Sequence, residues 1–441
     1  MLAKFKKKYI GDWDFYQKYL LLAIPMILQN AITNLVSFLD NIMVGQLGTE
    51  QMSGVAIVNQ LIFVYNLAIF GAVSAASIFG AQYFGKGNHK GHMYSFRFKL
   101  YATLLVTGGA ILLFLTKGSA LISLYLTDTV GNGATDLALQ YGLEYLAIMM
   151  VGLIPFAVNQ SYATNIKETG QTFIPMLASF VAVGTNAILD YLMIFGIGPF
   201  PELGVQGAAL ATVIARYIEA LIVVIWAHIH RGKNRYLEGA YTGFGIPLAE
   251  LKAILIKGFP LMMNEVLWAA GMTTVTQCYS VRGLNVVAGL NIASTITNLF
   301  NIVYLQLGSC ISIVVGQYLG AGKLEDAKDA DNKMIVFSVF CCVIMAALMF
   351  VVGGFFPGIY NTTEEIRELA TSFIAVSAII MPFCAFSHAS YFTLRSGGKT
   401  VVTFLFDSVF TWVIVVPAAY LLAHFTGLGI VSIYFLVQGT E

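Results

Sequence analysis

Long charge-poor runs dominate this sequence, separated by glycine, proline or short clusters of charge. They cover 17–44, 52–84, 95–117, 137–165, 173–196, 206–230, 250–280, 286–318, 333–356, 366–393 and 402–424, with a last from about residue 428. A helix needs roughly 20 apolar residues to cross a bilayer, so the pattern predicts an all-α polytopic membrane protein with twelve transmembrane helices. The twelfth segment has only about 14 residues before Glu441, too few to span ~30 Å of hydrocarbon, and reads as truncated. The connections are mostly ~5 to 20 residues long, whereas a nucleotide-binding or catalytic domain takes roughly 100 or more. An enzyme is therefore not expected, and any energy source has to be an ion gradient.

The pattern repeats. Shifted by 235 residues, Pro25 falls on Pro260, Gly48 on Gly283, Gly54 on Gly289 and Asn66 on Asn301. In the same register Gln82-Tyr83-x-Gly85-x-Gly87 falls on Gln317-Tyr318-x-Gly320-x-Gly322. Further on, Ser161-Tyr162-Ala163-Thr164 resembles Ser390-Tyr391-Phe392-Thr393, and Gly170 matches Gly398. Two six-helix halves follow: an N-terminal lobe over 1–230, a cytoplasmic inter-lobe linker over 231–249, and a C-terminal lobe over 250–441. An even number of spans per half gives both halves the same polarity. That is the parallel-repeat plan of a transporter whose lobes rock around a central site, and a duplicated structural bundle is the blander alternative.

Composition agrees: 58% of residues are hydrophobic and 11% charged, against about a quarter charged in a soluble domain. The net charge of +1 gives no electrostatic case for a nucleic-acid partner. Position matters more than balance. Of 24 Lys and Arg, twenty fall on one set of alternating connections and flanks, and only Lys117, Arg282 and Arg367 on the other, with Arg216 inside a helix. Cytoplasmic connections keep the positive residues, so both termini are expected in the cytoplasm of a multi-pass protein of the prokaryotic plasma (inner) membrane. The basic start (Lys4, Lys6, Lys7, Lys8) has the flavour of a signal peptide, but its apolar run continues past Leu39 and reads as a retained first span. All five cysteines lie in apolar runs without CxxC spacing, which predicts free packing thiols rather than a disulfide or zinc site.

Several motifs together resemble one family. These are Ala23-Ile24-Pro25, the run Leu39-Asp40-Asn41-Ile42-Met43-Val44-Gly45-Gln46-Leu47-Gly48, the paired Gln-Tyr-x-Gly-x-Gly ends of segments two and eight, and Asn186-Ala-Ile-Leu-Asp190. Over essentially the whole chain the sequence resembles the multidrug and toxic compound extrusion (MATE) family. The resemblance implies two six-helix lobes around a central cavity and a cation-coupled antiporter, driven by H⁺ or Na⁺, that exports chiefly organic cations. It also implies that Asp40, Asn186 and Asp190 form a cation or proton site, with Thr212 as a fourth member. No cofactor is expected beyond the coupling ion, and no obligatory protein partner. The expected partners are small-molecule organic substrates and the lipid bilayer.

The residues support a site there on their own chemistry. A carboxylate inside the bilayer costs ~2.5 kcal/mol or more, so each intramembrane acid is a functional candidate. Asp40 and Asp190 sit toward the same end of segments one and five, and Asn186 is one turn from Asp190 on the same face. Two carboxylates and an amide can hold an Na⁺ ion through oxygen or share a proton, and the spacing leaves both open. Helix capping by Asp40 and a local bond by Asp190 are the structural alternative.

Glu265 lies five residues after Pro260, where a bend should turn it inward, and a secondary coupling or substrate-pairing role is expected. Segment ten (366–393) carries no Asp or Glu between Ser377 and Thr393, which speaks against an acid pair in the second lobe. Gln29, Asn30, Asn159 and Gln160 are polar in apolar segments and are weaker cavity candidates beside a role in helix-to-helix hydrogen bonding. Arg216 and Glu219, three apart, are expected to neutralise one another, and Glu144, Asp407 and His388 rank below these. Gly397-Gly398-Lys399-Thr400 lacks the first glycine of a phosphate loop, and neither HExxH nor Gly-x-Ser-x-Gly occurs. A flippase for lipid-linked saccharides is the alternative transporter. It would want basic residues inside, whereas 23 of the 24 are assigned to connections or interfaces.

Overall fold

In lipid the backbone can satisfy its N–H and C=O groups only within its own helix or in a closed barrel, and the apolar runs take the first solution. The computed structural model describes residues 8–126, 132–243 and 245–440. The helices are α1 (Trp13–Gly45), α2 (Thr49–Gly85), α3 (His89–Ser123), α4 (Asn132–Glu168), α5 (Phe173–Ile194) and α6 (Gly204–Ile229). They continue as α7 (Leu248–Ser280), α8 (Leu284–Gly320), α9 (Leu324–Gly353), α10 (Glu364–Ser396), α11 (Thr400–Phe425) and α12 (Ile430–Gln438). Among the described residues, α1 to α11 are long and apolar enough to cross a membrane, while α12 has nine residues. The α11 backbone relaxes into two π-type turns, Leu405–Val409 and Thr411–Val415.

The chain divides into two compact units. One comprises Ile24–Phe84 with Asn88–Ile254, the other Met1–Ala23 and Gly85–Gly87 with Leu255–Glu441. The division cuts through α1 just before Pro25 and through α7 six residues before Pro260.

In the first unit, buried side chains of α2, α4 and α6 interlock, among them Val58, Ile62, Ile69, Met149, Leu153, Ala209 and Val213. The first residues of α7 belong here as well: Ile254 packs on Ala75 and Ala76, and the Tyr83 hydroxyl donates to Glu250. The linker 231–249 is anchored too. Tyr236, Leu237 and Ala240 join Phe96, Tyr162 and Val223 in one cluster, and the Arg97 guanidinium donates to the carbonyls of Gly239, Ala240 and Gly245 at 2.6, 2.9 and 2.7 Å.

In the second unit, α8 and α10 form the corresponding core through Ala293, Ile296, Phe373, Ile374 and Met381, joined by Ile433 and Val437 of α12. The start of α1 is part of it: the Tyr19 hydroxyl donates to the Leu307 carbonyl at 2.8 Å, and Tyr16 stacks on Phe337 at 4.8 Å. The paired motifs behave alike, with Gly87 and Gly322 both in the left-handed region, at φ +70° and +75°. Gly85 packs so closely on Gln317 that an added Cβ would lie 1.9 Å from its carbonyl oxygen. Large apolar side chains such as Leu105, Leu115, Phe340 and Val351 stay exposed on the outward faces, as lipid contact requires.

Candidate functional site

Three helices of the first unit converge on the expected residues. Asp40 comes from the last two turns of α1, Asn186 and Asp190 from one face of α5, and Thr212 from α6. The carboxyl groups of Asp40 and Asp190 are close enough to act on one another. The Asn186 amide points at the Thr212 hydroxyl, 3.4 Å away. Asp190 is 1% exposed and Asn186 5%. Neither carboxyl oxygen of Asp190, nor Oδ1 of Asp40, has a hydrogen-bond donor among the described residues. Two ionised carboxylates offer one another only acceptors. The arrangement therefore suits a proton shared between them or a monovalent cation bridging them. Tyr145, buried and donating to Asn59 Oδ1 at 3.3 Å, lies within the electrostatic reach of both acids and of Arg216.

The weaker candidates separate. Asn30 is spent on its own helix, its amide donating to the Met26 carbonyl at 3.0 Å. Gln29 instead reaches across to α5, donating to Ser179 Oγ at 2.7 Å, and Ser179 donates in turn to Glu219 of α6. Asn159 of α4, 3% exposed, lies close enough to act on the same Glu219. The expected Arg216–Glu219 pair does not close within ion-pair distance. Arg216 turns to the Gly152 carbonyl (3.4 Å) and sits over the Phe156 ring (5.1 Å), because tertiary partners on α4 outcompete a neighbour three residues along its own helix.

In the second unit Glu265 finds Arg395 of α10, with 3.7 Å between Oε1 and Nη1. The missing acid of segment ten is thus matched by a base near its end. The preceding residue, Asn264, is the hub of a network that sequence reasoning missed. Its amide donates to Asp407 Oδ2 at 2.7 Å and to the Tyr391 hydroxyl at 3.3 Å, and it pairs with Ser408 through both backbone and side chain. The first π-type turn places Asp407 and Ser408 there. The signal available in the sequence was the adjacent pair Asn264-Glu265 in an apolar run. His388 bonds the Cys384 carbonyl of its own helix (3.0 Å) and packs on Tyr304 (4.8 Å).

A fourth polar cluster shows that basic residues assigned to the helix rims can be buried there. Lys99, with no exposed surface, donates to Glu168 Oε1 at 2.5 Å and to Asn165, and His92 lies 3.3 Å from the other Glu168 oxygen. Arg97 and Arg395 are buried as well, at 6% and 5% exposure. Among the described residues no group of three or more His, Cys, Asp or Glu could hold a metal ion.

A fold of membrane-crossing helices in two repeats, with an acid pair set between helices of one of them, is that of a multi-pass transporter rather than an enzyme. The MatE family model matches residues 25–192 and 260–421, one stretch in each repeat, and the chain belongs to that family. It is 23% identical to the probable multidrug resistance protein NorM of Thermotoga maritima over 93% of this chain and 86% of that protein. With the NorM of Oceanobacillus iheyensis it shares 24% over 94% and 91%. Among solved structures it is similar to a MOP superfamily transporter from Pyrococcus furiosus (TM-score 0.84, 20% identity, 97% of this chain and 94% of that one). It also superposes on a multidrug resistance MATE family transporter in its outward-facing conformation (TM-score 0.85, 20% identity, 98% and 93%).

Proposed function

We propose that this protein is an antiporter that exports organic cations, drugs or toxic compounds among them, in exchange for H⁺ or Na⁺ by alternating access. The observation that carries the reading is the Asp40–Asp190 pair, a half-buried and a buried carboxyl group close enough to act on one another, with no donor for three of their oxygens. A cation entering that pair changes the local charge by one unit, and Asn186 and Thr212 supply neutral oxygens beside it. Because the four residues come from three helices, loading and unloading the pair changes how α1, α5 and α6 pack. Only a difference in cation affinity between two packings can drive the cycle. Each charge that moves through ~100 mV supplies ~2.3 kcal/mol, enough for roughly a 50-fold gradient of a neutral substrate. The basic ends of the helices are taken to face the cytoplasm of a prokaryotic cell, with both termini there.

A saccharide-lipid flippase would need cations free to meet a pyrophosphate. Here Lys99 is held by Glu168, Arg97 by backbone carbonyls, and Arg216 by the Gly152 carbonyl. The decisive experiment is efflux of a fluorescent organic cation from everted vesicles under an imposed pH or Na⁺ gradient. Gradient-dependent transport that is lost in Asp40→Asn and Asp190→Asn supports the reading. Transport that persists undiminished in both variants refutes it.

A further inference from the structure

The Glu219 network is a site in its own right. On α1, Gln29 lies 11 residues from Asp40, and on α5, Ser179 lies 11 from Asp190, three turns and about 16 Å along the axis in each case. On α6, Glu219 lies seven residues, two turns and about 10 Å, from Thr212. Offsets of 11 and seven both return a helix to the same face. The two sets of residues therefore occupy one seam of α1, α5 and α6, with the Glu219 set nearer the basic helix ends and Asn159 joining from α4.

Two amide oxygens point to what this set takes. Gln29 Oε1 and Asn159 Oδ1 are buried and have no hydrogen-bond donor among the described residues, although Asn159 is almost wholly enclosed. An unpaired buried carbonyl is costly, and a cation or a proton held by Glu219 would offer these oxygens a partner. With one carboxylate and otherwise neutral oxygens, the charge balances a monovalent ion and no more. Arg216 and Lys167 also act electrostatically on Glu219. Their positive charge loosens the hold on any cation, which suits a point of transit better than a permanent binding site.

We propose that Glu219, Asn159, Ser179 and Gln29 form a second station for the coupling cation, through which it passes between the Asp40–Asp190 pair and the basic end of the protein. The proposal rests on the acid pair being the coupling site. Its test uses the full-length chain in proteoliposomes, with a fluorescent organic cation as substrate. Radiolabelled Na⁺ and a pH-indicator dye follow the two coupling ions in separate arms. Glu219→Gln should slow cation-driven export about tenfold or more while substrate affinity, read by fluorescence polarisation, stays within about twofold, and Glu219→Asp should restore most of the rate. Asn159→Leu keeps the acid and removes the unpaired oxygen, and should slow the same flux; it decides the matter if Glu219→Gln does not yield monodisperse protein. Coupled export at the unmodified rate in both variants, or a loss of substrate affinity that matches the loss of rate, overturns the station. Full coupled export in Asp190→Asn would instead overturn the acid pair, so the two failures are distinguishable.

Discussion

Replacing Lys99 by methionine removes a charge from the interior while nearly keeping the length of the side chain. Its Nζ lies 2.5 Å from Glu168 Oε1, with the two side chains 0% and 2% exposed. At an effective dielectric of about 20, charges at that separation attract by about 6–7 kcal/mol before desolvation is subtracted. Measured losses on breaking one side of a buried pair are smaller, about 3–5 kcal/mol, and arise mainly because the remaining charge is left unpaired. His92, 3.3 Å from the second Glu168 oxygen, compensates only in part. Lys99→Met should therefore destabilise by about 3–5 kcal/mol. The double variant Lys99→Met with Glu168→Gln should recover about 2–3 kcal/mol of that, because no charge is then stranded. Thermal denaturation in detergent, followed by tryptophan fluorescence and size-exclusion chromatography, measures both. If Lys99→Met alone lies within about 0.5 kcal/mol of the unmodified protein, or if the double variant is additive, the cluster is not an energetically coupled pair.

Asp40→Asn and Asp190→Asn should be non-additive: if one proton or ion serves both carboxylates, the double variant exports no worse than the worse single one, and multiplicative losses in initial efflux rate would mean separate sites. Gly85→Ala should abolish folded protein on size-exclusion chromatography, because its Cβ would lie 1.9 Å from the Gln317 carbonyl oxygen. Gly87→Ala, with open space around its Cβ but φ at +70°, should cost only about 1–2 kcal/mol and remain folded. A cysteine at the exposed Thr49 should react with an impermeant thiol reagent added outside intact cells, and one at the exposed Lys90 should not, with the reverse labelling inverting the proposed orientation.

The acid pair was legible because charge is so sparse in the apolar runs. Asp40 and Asp190 stand out in segments that otherwise carry almost none, and the one-turn offset of Asn186 from Asp190 fixes its face without any tertiary knowledge. What the sequence leaves open is which neighbouring helix a side chain meets. Arg216 and Glu219 look like a pair at three residues' spacing, yet each is taken by α4 or α5. Lys99 and Arg97 look like exposed rim residues, whereas acceptors at the end of α4 and in the linker bury them there. Asp407 was ranked low from its position along α11. The π-type turn around it changes the rotation of the helix there and brings it to Asn264.

The opening turns of α1 are grouped with residues made far later. Tyr19 donates to Leu307 and lies 3.5 Å from Ser338 Oγ, 288 and 319 positions along the chain. A ribosome adds about 5–20 residues per second, so these turns exist for on the order of 15–60 s before their partners emerge. The first span must therefore enter the bilayer with Tyr16 and Tyr19 still unpacked, and it is seated last although it is translated first. Expressing residues 1–230 alone would leave this segment without its packing surface. A split protein should assemble better when its first fragment begins near Pro25 and the earlier turns are supplied with the second unit.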